Sequence, residues 1–288
     1  MKKINLNEKL TIIIVSFHSD HIIENLISSI DEDIKIVVIE NSLDEALKLK
    51  LEKKYQNVQV VIPKKNLGVG GGINLGFNHT KTQFALHLSA DTIPDKEMIK
   101  ILLRESERIK KFAILAPKMD NFYYEKDFYI EKDNIKKIHK MRWINGSALL
   151  FNMETLNITG RFDENIFLYY EEHDMYFRIL KFGLNIYMIE EARIVHLGSS
   201  GVTNVYKKEI SFIRNWHYCW SKFYHFKKNY GYLHGIKKTF PNLIRSIKKC
   251  IICIFKIDTK NFRLHKAEIE GLFASYFLKK SWRRPDIK

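Results

Sequence analysis

The chain has 288 residues, room for about two domains or one large one. Its 45% hydrophobic and 28% charged residues are ordinary for a globular protein and exclude a disordered or collagen-like chain. Its 48 Lys+Arg against 33 Asp+Glu leave a net +15, and residues 203–288 carry all of that excess, with 20 basic and 5 acidic side chains. The first 202 residues hold 28 of each sign and are neutral. An anionic partner is implied: nucleic acid, anionic lipid or a phosphate-bearing substrate.

In chain order, residues 10–17 (LTIIIVSF) and 34–39 (IKIVVI) are β-branched runs of the kind buried on both faces of a sheet. The first run is short for a signal peptide, lacks a small-residue cleavage site and ends in His18-Ser19-Asp20, so a strand is expected there. Helical spacing covers Asp20 to Ile30, Leu43–Tyr55 and Lys96–Lys110, and strands fit Val58–Ile62 and Phe84–Leu88. This alternation predicts right-handed crossovers and a mostly parallel sheet, with ligands beyond the carboxyl ends of its strands. After a strand at Phe112–Ala116, residues 120–142 read as a hairpin or a mobile loop. Strands at Ile144–Phe151, Asn185–Ile189 and Arg193–Val195 and a helix at Glu171–Phe182 follow. From about Asn204 the chain is basic, aromatic and mainly helical. No run approaches the roughly 18–20 apolar residues that span a bilayer. Three cysteines (Cys219, Cys250, Cys253) make no disulfide framework, which suits a reducing cytoplasmic setting.

Four stretches could carry chemistry. Gly68-Val69-Gly70-Gly71-Gly72 opens the backbone to a ligand and precedes a helix N-terminus, which favours phosphate. The spacing fits neither G-x-G-x-x-G nor a P-loop, and a tight strand-to-helix turn explains it equally well. Asp91, at the end of a buried strand, suits a hard divalent cation that also grips phosphates, or a helix cap. Gly160 through Arg178 gathers Glu171, Glu172, His173 and Asp174 behind an aromatic run. The helix dipole alone favours acids in a first turn, and an aromatic-walled carboxylate with acidic neighbours is also how a general base gains a raised pKa. Val195-His196-Leu197-Gly198-Ser199-Ser200 puts a histidine just past a strand, as a ligand or as a structural donor.

Taken in order, these stretches resemble the inverting, family-two glycosyltransferases of the GT-A fold, and among them the bacterial rhamnosyltransferase-type enzymes of cell-surface polysaccharide assembly. Phe17-His18 stands at the family's Tyr-Asn pair, and Glu40-Asn41-Ser42 at Asp-Asn-x-Ser. Asn66-Leu67-Gly68 and Asn74-Leu75-Gly76 match a repeated Asn-x-Gly, and Ser89-Ala90-Asp91 falls at Asn-Pro-Asp. Gly160–Arg178 and Val195–Gly198 match the later blocks. The resemblance covers about residues 10–200 and implies an α/β, Rossmann-like, mostly parallel sheet flanked by helices, with a GT-A catalytic domain over residues 1–203. The basic aromatic helical region over 204–288 would be a C-terminal extension, associated with a membrane surface.

The resemblance also implies roles. Ser16, Phe17, His18 and Glu40 would contact the base or ribose of a nucleotide-diphosphate sugar. Asn66, Gly70, Gly71 and Asn74 would line the nucleotide, and Asp91 with His196 would hold Mg²⁺ or Mn²⁺. Glu172 would be the base for the acceptor hydroxyl, Glu171 and Asp174 supporting acids, and Arg178 their counter-charge. The acceptor would be a glycan or a polyprenyl-diphosphate-linked sugar. Three departures bear on this: Ser89 removes one metal ligand, and Glu for Asp at 40 and 172 moves each carboxylate by about 1 Å.

The tail interleaves Trp216, Tyr218, Trp220, Phe223, Tyr224 and Phe226 with lysines, as an interfacial membrane helix does. A cytoplasmic enzyme, peripheral on the inner face of the membrane, follows; a basic face on helices packed against the catalytic domain is the plainer alternative. A nucleic-acid-binding protein has no recognised motif to support it, so no nucleic acid partner is expected. A non-catalytic sugar-binding or assembly subunit remains as a rival because of the three departures. Cys250-x-x-Cys253 lies in an apolar run and reads as helix packing rather than a zinc or redox pair.

Overall fold

The computed structural model describes residues 6–198 and 206–285. The described residues separate into two compact units. The first takes in the chain up to Asn66, Gly72–Phe162 and the stretch from Met175. The second takes in Leu67–Gly71, Asp163–Asp174 and the C-terminal helices. The expected boundary at 203/204 lies outside the described residues.

The first unit starts with α1 (Leu6–Lys9), β1 (Leu10–Ser16), α2 (Ile23–Ser28), β2 (Lys35–Glu40), α3 (Glu45–Lys54) and β3 (Val58–Val61). Next come α4 (Gly68–Asn78), β4 (Phe84–Ser89), β5 (Thr92–Pro94), α5 (Met98–Arg108) and β6 (Ile114–Met119). A short hairpin of β7 (Tyr129–Glu131) and β8 (Ile138–Met141) leads to β9 (Ala148–Asn152), α6 (Met153–Thr159), α7 (Glu171–Lys181), whose first four residues are counted with the second unit, and β10 (Ile186–His196). The strands form one sheet in the order β3-β2-β1-β4-β9-β6-β10-β8-β7, with β5 pairing β10. β3, β2, β1 and β4 run parallel, as do β6 and β10, and antiparallel β9 joins the two sets. This is the expected α/β sheet flanked by helices. Ile12 and Ile13 in β1 and Ile36 and Val37 in β2, neighbours that point to opposite faces, are fully buried, because a parallel sheet covered on both faces buries both sides of each strand.

Two local differences from expectation have simple causes. The strand expected from Ile144 starts at Ala148, because Asn145 Oδ1 accepts from Ser147 N at 3.0 Å and closes a turn first. The two strands expected at 185–195 are one strand, β10, with a register shift between Ile189 and Arg193.

The glycines of α4 have a packing role. A Cβ at Gly72 would lie 2.9 Å from Val15 Cγ1, and one at Gly76 would lie 2.4 Å from Ile13 Cγ2. These two positions, one turn apart, let the helix approach β1 more closely than any larger residue would allow.

The second unit is built from α8 (Lys207–Tyr230), α9 (Tyr232–Phe255) and α10 (Thr259–Tyr276), which pack on one another. Its core is aromatic: Trp216 and Phe223 are fully buried, and Trp220 and Leu272 join them. A Cβ at Gly271 would lie 2.2 Å from Trp216 O, and one at Gly235 would lie 2.8 Å from Phe223 Cε2, so glycines set both helix contacts. Cys250 and Cys253 are free, buried and on the packed side of α9, as expected of helix packing. No helix among the described residues is long and apolar enough to cross a membrane.

Candidate active site

In the first unit, parallel pairing places the ends of neighbouring strands side by side. Ser16 pairs with Glu40 across β1 and β2, and Val15 with Ser89 across β1 and β4. The loops that follow therefore leave from one carboxyl edge, where α/β sheets take their ligands. Ser16 is fully buried there, and its hydroxyl has no hydrogen-bond partner among the described residues. Phe17 and His18 follow, their rings 4.6 Å apart, and His18 adopts a φ of +50°.

Glu40 is fully buried, and its carboxylate closes the β2–α3 turn. Oε1 accepts from Ser42 N at 3.1 Å and from Ser42 Oγ at 2.5 Å, and Oε2 accepts from Asp44 N at 2.8 Å. Ser42 Oγ in turn accepts from His18 N at 2.7 Å. Both oxygens of Glu40 thus hold the loop that follows β2. Asn74 is likewise bonded to the protein itself. Its Oδ1 accepts from Phe162 N at 3.0 Å and its Nδ2 donates to Phe162 O at 2.9 Å, which pins α4 to that backbone. Asn66 is half-buried just before α4, and Gly70 and Gly71 are buried inside the helix rather than in an open loop. The glycines therefore serve close packing as well as any approach to a ligand.

Asp91 and His196 meet. Their sequence separation is 105 residues, and His196 Nε2 lies 3.1 Å from Asp91 Oδ1. The antiparallel β5–β10 ladder sets His196 opposite Thr92, and Leu197 N donates to Asp91 O at 2.9 Å. Asn121, which the sequence did not single out, clamps the His196 backbone, with its Nδ2 donating to His196 O at 2.6 Å. Both side chains keep some exposure, 11% for Asp91 and 25% for His196. No group of three or more metal-ligating side chains occurs among the described residues. One carboxylate oxygen and one imidazole nitrogen are donors that would suit a divalent cation, with Asp91 and His196 as the residues to hold it. The mixed set suits Mn²⁺ at least as well as Mg²⁺.

In the second unit, the acids begin α7 directly after two consecutive left-handed residues, Tyr169 (φ +62°) and Tyr170 (φ +66°). Non-glycine residues adopt this conformation at a cost of about 1–3 kcal/mol each, so surrounding packing must impose it. Tyr170 supplies part of that packing, with its ring 4.6 Å from His173 and 5.5 Å from His225. Glu171 is buried, and its Oε2 has no hydrogen-bond partner among the described residues. Burial first, and then the negative charge of Glu172, push its carboxyl well above the usual range. Glu172 is the accessible member: its side chain is 18% exposed and Oε1 lies 3.6 Å from His173 Nδ1. Two neighbouring carboxyls in unlike surroundings can divide proton-holding from proton-taking.

Asp174 is fully buried and bound into α8. Lys228 Nζ donates to Asp174 Oδ2 at 2.9 Å and to Asp163 Oδ2 at 2.7 Å, and Asn229 Nδ2 donates to Asp174 Oδ1 at 3.2 Å. Tyr224 OH donates to Asp163 Oδ2 at 3.0 Å, and Ser221 Oγ to Leu168 O at 2.9 Å. Asp174 is thus a structural acid, and Lys228 gives it a counter-charge. Arg178 donates to the carbonyls of Thr159, Gly160 and Arg161, at 2.7 Å for the last, and holds the turn after α6. Lys228, Asn229, Tyr224 and Ser221 escaped sequence reasoning, since they appeared only as part of a basic aromatic stretch. Gly68 is fixed by the same segment: with φ +74°, its Cβ would stand 2.0 Å from Phe167 O. A cavity of about 1080 Å³ along α5, β8 and β10 is lined by charged side chains such as Arg104, Lys136 and Glu190 and by none of these residues.

Residues 11–175 match the family model "Glycosyl transferase family 2". The chain belongs to that family. A family-two transferase moves a sugar from a nucleotide-sugar donor, which is the activity of this enzyme. Over 208 residues it is 23% identical to the low-salt glycan biosynthesis hexosyltransferase Agl10 of Haloferax volcanii, covering 66% of this chain and 67% of the relative. Over 209 residues it is 23% identical to the dTDP-rhamnosyl transferase RfbF of Shigella flexneri, covering 66% and 70%. The transferase also shares its fold with the mannosyltransferase PcManGT of Pyrobaculum calidifontis, solved with GDP-Man and Mn²⁺, at a TM-score of 0.58 and 13% identity over 94% of this chain and 88% of that one. It superposes on GalNAc-T7, solved with UDP, GalNAc and Mn²⁺, at a TM-score of 0.55 and 15% identity over 75% of this chain, and spans only 52% of that longer chain.

Proposed function

We propose that this transferase is an inverting enzyme that moves a hexose or deoxyhexose, with rhamnose first among the candidates, from a nucleoside-diphosphate donor to a cell-surface glycan or a polyprenyl-diphosphate-linked acceptor. The observation that carries the proposal is the Asp91–His196 pair, brought to 3.1 Å at the carboxyl edge of the sheet. On the neighbouring strand β1, the buried hydroxyl of Ser16 has no hydrogen-bond partner among the described residues. Asp91 and His196 would hold Mn²⁺ or Mg²⁺; when bound, the cation supplies a Lewis acid that stabilises the departing diphosphate. Ser16, Phe17 and His18 receive the nucleoside, on a loop that Glu40 and Ser42 keep in shape. Glu172 takes the proton from the acceptor hydroxyl. That oxygen bonds to the anomeric carbon as the bond from that carbon to the diphosphate oxygen breaks, and one displacement inverts the configuration. Burial and the charge of Glu172 raise the Glu171 carboxyl, which leaves the proton-accepting role to the more accessible Glu172. Rhamnose is supported by similarity to a dTDP-rhamnosyl transferase. A lipid-linked acceptor would place the enzyme at an anionic membrane surface on the cytoplasmic side.

A panel of nucleotide sugars tests this, assayed with Mn²⁺ and with EDTA. Turnover of one donor is expected, with dTDP-rhamnose first, lost in chelator and restored by Mn²⁺. Full activity in EDTA would remove Asp91 and His196 from metal duty, and no turnover of any donor would favour a sugar-binding subunit.

A further inference from the structure

Helix α9 has three faces. Gly235, Thr239, Leu243, Ser246, Cys250 and Cys253 form the buried one. About a third of a turn away, Leu233, Phe240, Ile244, Ile247, Ile251 and Phe255 form a second stripe that is open to solvent, with exposures of 82%, 51%, 38%, 37%, 49% and 84%. Their spacing of three and four residues over most of the run makes them one continuous apolar strip rather than scattered surface residues. The third face is basic, with Lys237, Lys238, Arg245, Lys248 and Lys249, and the helix from Tyr232 to Phe255 contains no acidic residue.

We infer that this strip of α9 is the surface by which the protein lies in the headgroup layer of an anionic bilayer. A solvated helix face carries polar residues, whereas this one presents six large apolar side chains in line. Apolar residues on one side and lysines on the other are the arrangement of a helix that rests in an interface, with its amines reaching lipid phosphates. Spanning is ruled out for the described helices. The same spacing would also suit a helix of a second copy, but charge argues against that partner. Two copies would bring two all-basic helix edges together, with no acid on either α9 to pair them, in a region that holds the chain's whole +15. Anionic headgroups meet the same charges with opposite sign. The inference deepens the membrane-surface part of the proposal above, and its failure would leave sugar transfer untouched.

Flotation of the full chain with vesicles tests it without any donor or acceptor. Wild type is expected to float with phosphatidylglycerol–phosphatidylethanolamine vesicles, weakly with pure phosphatidylcholine, and less as salt rises. Ile247→Glu with Ile251→Glu should lower binding at least tenfold. Lys248→Glu or Lys249→Glu should lower it about fivefold or more each on anionic vesicles only, since a basic residue near such a surface contributes about 1 kcal/mol. All four side chains are exposed, so unchanged melting temperatures are expected and would exclude misfolding. Failure of wild type to float on anionic vesicles, or flotation of the isoleucine variants at wild-type level, would overturn the inference. So would a dimer in light scattering that Ile247→Glu and Ile251→Glu dissociate while vesicle binding stays unaltered; in that case the strip belongs to a second copy.

Discussion

The two units hold their functional side chains by different means. In the sheet unit, Ser16, Glu40 and Asp91 stand at or just past the ends of neighbouring parallel strands, so the backbone ladder fixes where each one begins. In the helical unit, the acids at the start of α7 depend on side chains: Lys228 between Asp163 and Asp174, Asn229 on Asp174, and packing that keeps Tyr169 and Tyr170 left-handed. Placement by a ladder tolerates a changed side chain, as Glu40 shows by reaching its own turn. Placement by a buried charge network does not, since removing one partner strands the other in a poor solvent.

The largest expected effect tests the chemical half of this contrast. Glu172→Gln should lower transfer by about 10²–10⁴-fold while calorimetry finds donor affinity unchanged. Near-normal turnover would move the base role to Glu171, since Asp174 is committed to Lys228. Next comes the network itself. Lys228→Met leaves the fully buried Asp174 without its cation and should cost about 3–5 kcal/mol, read by denaturant melting. Amide exchange should then quicken along α8 and at the start of α7 but not in β1, β2 and β4; equal loss everywhere would erase the distinction between the units. The reverse perturbation is Gly76→Ala, which overpacks Ile13 and should cost about 1–3 kcal/mol, with the faster exchange in β1 and α4.

The smallest effect per group is in the pH dependence. Burial lowers His87 in the sheet unit to about 4, and His217 and His225 in the helical unit to about 3 and about 4. Unfolding lets each take a proton below about 6.5, so stability is complete above that pH and falls as the pH drops toward 4, by at most about 1.4 kcal/mol per histidine per pH unit. Melting at pH 7.5 and 5.5 should show the drop, and His225→Gln should make it shallower. Glu171 acts with the opposite sign: its raised carboxyl loses stability as pH rises above the ordinary glutamate value, so Glu171→Gln should melt higher than wild type at pH 8 and the same near pH 4.

Much of the sheet was legible because its strands are buried on both faces and read as unbroken β-branched runs, as in LTIIIVS and KIVVIE. Helix α6 was not, because METLNIT is too short to display a period. Glu40 and Asn74 were found by motif and given a ligand role, yet their hydrogen bonds go to the protein's own backbone. A motif records that a residue type matters at a place and not whether its partner is a ligand or a turn. Glu171, Glu172 and Asp174 stood out together, but nothing local separates the buried Glu171 from the accessible Glu172 or from the ion-paired Asp174.

By itself the sequence determined which β-branched runs form the first strands of the sheet, that acids open α7, that the glycines cluster at the start of α4, and that the +15 belongs to the tail. These follow from propensity, periodicity and composition, which act over a few residues. Only the tertiary structure decided that Asp91 meets His196 across 105 residues, that Lys228 reaches Asp163 and Asp174, and that α9 turns small residues inward and leaves isoleucines in the open. Those outcomes depend on which surfaces pack together. A helix with three distinct faces looks merely basic and apolar until its neighbours have chosen one of them.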